Sequence, residues 1–272
     1  MEEESKTLQG TNEQYHADTD YIGKSGLDLI NCSPLHYWER YLNPNHVREP
    51  ETPAQIFGSL VHCAVLEHEK LERRYVSIPE EMNKRKTEWK DFQTEHEGKR
   101  LVTAEQYATA LAIREAVHSH PKASLLLGEG VAEKAMWAND PVTGVLVKTK
   151  PDFYNPKLEF LVDLKTTINA GAEKFARDSF NYRYHVQDAF YTDVAGWAGV
   201  PVKGFAFIAV EKEPPFAVAV YVLDDDSREV GRITYRTDLN TYAECYKTQN
   251  WHGYHKNDIV GLRLPNWAFR NL

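Results

Sequence analysis

The stretch Leu158 to Thr166 constrains this chain more than any other. Phe160, Leu161, Val162 and Leu164 form an almost continuous apolar run, suited to a central strand covered on both faces of its sheet. Asp163 lies inside that run and Lys165 follows two residues later. Side chains alternate along a strand, so Asp163 and Lys165 leave from one face while Leu164 points the other way into the core. A carboxylate in so apolar a setting is expensive and signals a metal or a charged partner.

A second acid lies upstream. Lys150-Pro151-Asp152 precedes Asp163-Leu164-Lys165 by a gap of ten residues, so on neighbouring strands the two aspartates converge. Two carboxylates and an ammonium then share one pocket. Carboxylate oxygens are the hard ligands that Mg²⁺ prefers. Such an ion makes water a stronger nucleophile near neutral pH and offsets charge on a phosphoryl group. Lys165 can polarise that water or stabilise developing negative charge. An Asp and a Lys two apart on a strand also occur as a plain surface ion pair, and the burial expected for Asp163 shifts the balance toward chemistry.

Around this pair the spacing predicts two short helices between Ser25 and Tyr41 joined near Ser33, and a helix from Ala54 to Lys70 with His62 near the edge of its apolar stripe. Pro79 to Arg100 is charged and lacks apolar periodicity, so it reads as a surface loop or solvent-facing helix. Thr103 and Gln106 form a capping-box signature for a helix running to His118. Strands are expected over Glu133 to Ala138, Val145 to Tyr154 and Leu158 to Thr166. Helices then cover Ala170 to Phe180 and Tyr182 to Ala198, the second ending on Gly199. Val202 to Val210 and Phe216 to Leu223 make a further strand pair, and Asp226 caps a last helix to about Gln249. This order gives an α/β fold with a central mixed sheet flanked by helices.

No stretch approaches the roughly 20 apolar residues a membrane helix needs. Cys32, Cys63 and Cys245 are scattered and odd in number, which argues against a disulfide framework or a cysteine-held metal and fits a reducing cytoplasm. Residues 1–14 are acidic and polar, read as a disordered lead-in, and residues 15–272 as a single domain. The net charge of −8 confines any phosphate-binding surface to a local groove. Lys84, Arg85, Lys86 and Lys90, with Lys148, Lys150 and Lys165, are the candidates for it.

Pro151-Asp152 followed by Asp163-Leu164-Lys165-Thr166-Thr167 resembles the signature of the RecB-like branch of the PD-(D/E)XK nucleases. Lys24-Ser25-Gly26-Leu27-Asp28-Leu29-Ile30, Ser33-Pro34-Leu35-His36-Tyr37 and Phe57-Gly58-Ser59-Leu60-Val61-His62 are similar to successive motifs of the RecE (exonuclease VIII) nuclease domain, and Gln187 and Tyr191 match its QxxxY helix motif. The resemblance implies that Asp152, Asp163, His62 and the Leu164 carbonyl hold Mg²⁺, with Mn²⁺ as substitute, and that Lys165 is the catalytic lysine. Glu133 is a further candidate ligand. Gln187 and Tyr191 would contact DNA, as would Lys148 and Lys150. The implied activity is 5′-to-3′ digestion of linear double-stranded DNA ends, leaving 3′ overhangs for a single-strand annealing protein, in a ring of identical copies such as a tetramer. Two readings compete: a structure- or site-specific endonuclease with the same centre, and a non-catalytic DNA-binding protein on a nuclease fold.

Overall fold

The computed structural model describes Tyr15 and residues 18–269 except Arg48, Lys84 and Lys86. The lead-in expected over residues 1–14, and the basic pair Lys84 and Lys86, therefore lie outside the described residues. In chain order the first half comprises α1 (Lys24–Cys32), α2 (Pro34–Tyr37), α3 (Pro53–Leu66), α4 (Leu71–Arg74), β1 (Tyr75–Ile78), α5 (Thr87–Glu95), β2 (Arg100–Thr103), α6 (Ala104–Ser119) and α7 (Pro121–Leu126). The second comprises β3 (Val131–Ala132), β4 (Met136–Asn139), β5 (Leu146–Thr149), β6 (Phe153–Asn155), β7 (Phe160–Thr167), α8 (Ala172–Asn181), α9 (Tyr184–Trp197), β8 (Gly204–Glu211), β9 (Val218–Tyr221) and α10 (Asp225–Thr248).

The central sheet has five strands in the order β3-β6-β7-β8-β9. Only β7 and β8 pair in parallel, so the sheet is mixed. It is covered on both faces, as the apolar run required. On one face Val162, Leu164 and Ile208 pack against Leu60 and Val61 of α3 and Ile113 and Val117 of α6. On the other, Leu161, Phe205 and Phe207 pack against Phe175 of α8 and Ala195 of α9. A further cluster joins Leu27 and Ile30 of α1 to Phe190 of α9 and Tyr235 and Leu239 of α10.

Local chemistry explains most boundaries. The Thr103/Gln106 capping box is present, with Gln106 N–H donating to Thr103 Oγ1 at 3.1 Å. A second box, Thr52 with Gln55, starts α3 one residue earlier than expected, with Pro53 in the first helical position. The last helix is capped by Asp224, not Asp226: Asp224 Oδ1 accepts the Ser227 amide at 2.7 Å. Gly199 has φ +73, the left-handed value that ends α9. Two expected strands are corrected. The strand placed over Glu133 to Ala138 is two strands, because Glu133 turns to φ 55 between β3 and β4. Val145 to Tyr154 likewise divides into β5 and β6 around Pro151, which has no N–H to offer a ladder. The charged stretch Pro79 to Arg100 contains α5, a helix with no buried residue, as the solvent-facing reading expected, and it ends where β2 begins, whose parallel pairing with β1 was not foreseen.

α9 and α10 approach closely. A Cβ on Gly231 would fall 2.0 Å from the His185 carbonyl oxygen, so that position tolerates only glycine. Beside this contact Asp188 is fully buried, with Oδ1 accepting from Arg228 Nε at 2.9 Å and Oδ2 accepting no hydrogen bond. Burial pushes Asp188 up to about 6 against the opposing pull of Arg228, from an ordinary 3.8. An acid whose folded pKa is raised contributes its stabilisation fully below the unfolded pKa and loses it as pH rises through the folded one. Stability should therefore fall between about pH 4 and about pH 7 by no more than roughly 3 kcal/mol from this group, and Asp188→Asn should remove that component. Urea titrations of both proteins across this range check it; parallel pH profiles would contradict it.

Candidate functional site

The site forms where two strands part. β6 and β7 run together until Phe153 opposite Val162. Beyond that point Asp152 offers β7 its side chain: Oδ2 accepts the Leu164 amide at 2.7 Å. The gap opened there admits groups from both helical layers. From one layer, His62 on α3 brings Nδ1 to 3.4 Å from Asp152 Oδ1. From the other, α9 brings Gln187 and Tyr184 to the β7 residues Asp163 and Lys165.

Asp163 and Lys165 share one face of β7, with Lys165 Nζ 2.6 Å from Asp163 Oδ2. Gln187 ties them together, its Oε1 accepting from Lys165 at 3.0 Å and its Nε2 donating to Asp163 Oδ1. Lys165 Nζ also stands 4.5 Å from the centre of the Tyr184 ring, a cation–π contact. Glu133 donates its amide to the Asp152 carbonyl at 2.9 Å and pairs its carboxylate with Lys150 at 2.5 Å. His62, Glu133 and Asp152 each present a ligand atom, all within 4.8 Å of one another. Asp163 falls outside that trio and pairs with Lys165.

Electrostatics divide the acids. Burial works against ionising Asp152, but His62, Lys165 and the Leu164 amide overcome it and hold the carboxyl below its ordinary range. Asp163 moves up, through burial and the repulsion of Asp152, despite Lys165. Glu133 rises for the same two reasons. Burial opposes the His62 imidazolium, yet Asp152, with Asp163 behind it, pushes it up to about 9. Asp163 Oδ2 is buried and accepts no aligned hydrogen bond; its approach to Lys165 is a charge contact without hydrogen-bond geometry. Hard carboxylate oxygens, an imidazole and this unsatisfied buried oxygen are a donor set that fits a divalent cation.

Several expected DNA contacts are otherwise engaged. Lys148 is buried, donating to the Tyr15 carbonyl at 2.5 Å and to that of Asp18, and so ties both residues to β5. Lys150 pairs with Glu133. Gln187 spends both ends of its amide on Asp163 and Lys165. Tyr191 packs edge-on against Phe205, and burial beside Tyr15, Asp163 and Asp152 keeps its phenol protonated. Arg85 and Lys90 are exposed. Tyr184 was missed, although it lies three residues before Gln187 and so on the same helix face.

The family profile described as "PDDEXK-like domain of unknown function (DUF3799)" matches residues 25–258. A solved structure of a candidate exonuclease from Eubacterium rectale superposes with a TM-score of 0.65 at 15% identity, covering 97% of this chain and 98% of that one, which shows a shared fold. A second structure, described as SSO0001, reaches a TM-score of only 0.31 at 16% identity over 89% of each chain and carries no argument. No curated protein matches. Among the described residues no helix is long and apolar enough to cross a membrane. The family match runs from the second residue of α1 through α10 and takes in every residue of the centre at the β6–β7 opening: the chain belongs to the DUF3799 family of PDDEXK-like domains.

Proposed function

We propose that this chain is a divalent-metal-dependent exodeoxyribonuclease, one domain acting on the ends of linear double-stranded DNA, cutting 5′ to 3′ and leaving 3′ overhangs for a strand-annealing partner. The observation that carries the reading is the convergence of Asp152, Asp163, Lys165 and His62 at one opening in the sheet. The exonuclease designation of the Eubacterium rectale structure supports action as an exonuclease, and the finer terms, including a ring of identical copies, rest on the likeness to RecE motifs alone.

In this reading His62, Asp152 and Asp163 hold Mg²⁺ or Mn²⁺, with Glu133 as a further ligand. The Leu164 amide meets Asp152, and in an extended strand the carbonyl of the same residue leaves on the same edge, which suits it to complete the set. Once bound, a hard divalent cation acidifies water and offsets phosphoryl charge. Lys165 directs its ammonium toward the scissile phosphate and stabilises the charge that develops there. Gln187 holds Lys165 and Asp163 in register, and the Tyr184 ring supports the ammonium from below.

Digestion of end-labelled linear duplex beside a covalently closed circle, with Mg²⁺ and with chelator, tests the reading. Loss of the linear substrate alone, only with Mg²⁺, is expected; cleavage of the circle would establish an endonuclease instead. Lys165→Ala should lower the rate by roughly a hundredfold or more while leaving DNA affinity largely intact. Ca²⁺ should not support turnover, since it acidifies water less and tolerates looser geometry; equal rates in Ca²⁺ and Mg²⁺ would count against the centre.

His62 must shed its proton before its nitrogen can take a cation. With its pKa raised to about 9, it is charged at neutral pH. Mn²⁺ affinity of the DNA-free chain should therefore tighten between about pH 6 and about pH 8, approaching tenfold per unit, with protons released. Calorimetry in buffers of different ionisation enthalpy measures both, and His62→Gln should flatten the slope. An affinity independent of pH would remove His62 from the ligand set.

A further inference from the structure

Tyr182 lies in the turn between α8 and α9 and is 61% exposed. Its ring is 5.8 Å from that of Tyr184, which in turn lies under the Lys165 ammonium. The two rings and the ammonium form a short ladder from solvent into the site. The turn that carries Tyr182 is held more tightly than a surface loop requires. Arg183 adopts φ 58, a left-handed conformation that costs any residue bearing a Cβ. Its guanidinium is gripped by Asp28 at 2.8 Å and by Asp238. Lys24 donates to the Tyr182 carbonyl at 3.1 Å, and the Tyr182 amide donates to Asp178 O at 2.8 Å. These tethers fix the backbone on both sides of the ring while leaving the ring itself in water.

A fixed, solvent-facing aromatic beside two ammonium groups suits a ligand that is flat and linked to a phosphate. Lys24 and Lys165 stand near enough for their charges to repel, and each is held by a carboxylate, Lys24 by Asp28 at 2.8 Å and Lys165 by Asp163 at 2.6 Å, which fixes both ammonium groups beside the rings. A nucleobase meets that description, and tyrosine rings stack on any base without regard to sequence. Bases inside a duplex already stack on one another, so the base offered here must be unpaired.

We propose that Tyr182 is a stacking platform for an unpaired nucleobase next to the scissile phosphate, so that the chain engages a splayed DNA end in place of a fully paired one. The inference rests on the nuclease reading above. Its test uses the full chain carrying Lys165→Ala, with Mg²⁺, and duplex DNA whose terminal unpaired base is 2-aminopurine. Binding should change the fluorescence. Adding Tyr182→Ser should return the signal toward that of free DNA and weaken binding roughly tenfold, whereas Tyr182→Phe should do neither. Phosphate contacts are untouched, so the salt dependence of binding should stay the same. An unchanged signal and affinity in the Tyr182→Ser protein would overturn the platform. Cleavage of DNA by the unsubstituted chain, assayed alongside, separates the two claims. If it cuts and Tyr182→Ser changes nothing, the platform alone fails; if it does not cut, the nuclease reading fails and the platform with it.

Discussion

At Asp152 a strand that could have continued its ladder substitutes a side chain for its backbone. The Leu164 amide, which would have met a carbonyl of β6, meets the Asp152 carboxylate. Pairing ends at Phe153 and Val162, the strands part, and His62 from one helical layer can face groups held by α9 on the other. Had β6 paired one residue further, backbone would fill the space that the cation and phosphate are proposed to share. Pro151 supports the break from the sequence side, since it lacks the donor a continued ladder would need.

The opening is costly electrostatically. Asp152, Asp163 and Glu133 crowd one region, and burial with mutual repulsion pushes the last two toward their neutral forms. Lys165, Lys150 and a protonated His62 offset the charge without satisfying every oxygen, since Asp163 Oδ2 is left without an aligned donor. Buried acids so arranged are a poor way to stabilise a fold, because removing charge from water costs more than an imperfect pair returns. The arrangement is better suited to binding a cation, with the His62 proton as the charge that leaves when one arrives.

Much of the frame was legible because strand periodicity is strict. Alternation alone put Asp163 and Lys165 on one side of β7 and Leu164 on the other, and the apolar run required the two covering layers that α3, α6, α8 and α9 supply. Charge type, by contrast, does not report burial. Lys148 and Lys150 read as groove residues, and the fold turns one onto carbonyls of the N-terminal segment and the other onto Glu133. The kink at Glu133 had no Gly or Asn to announce it, and the β1–β2 pairing joins four-residue strands through contacts distant in sequence. Which of Asp224, Asp225 and Asp226 caps α10 is a matter of geometry that three adjacent acids cannot reveal. Tyr184 was readable in principle, since its spacing from Gln187 places both on one helix face, but its partner Lys165 comes from a strand nineteen residues earlier.

The central claim is that the opening between β6 and β7 grips a hard cation, and crystals grown with Mn²⁺ test it most directly. An anomalous peak bounded by His62, Asp152 and Asp163 or Glu133, with the Leu164 carbonyl facing it, is the predicted result. A fully ordered site with no peak there, or with Mn²⁺ bound only elsewhere on the surface, would contradict the account.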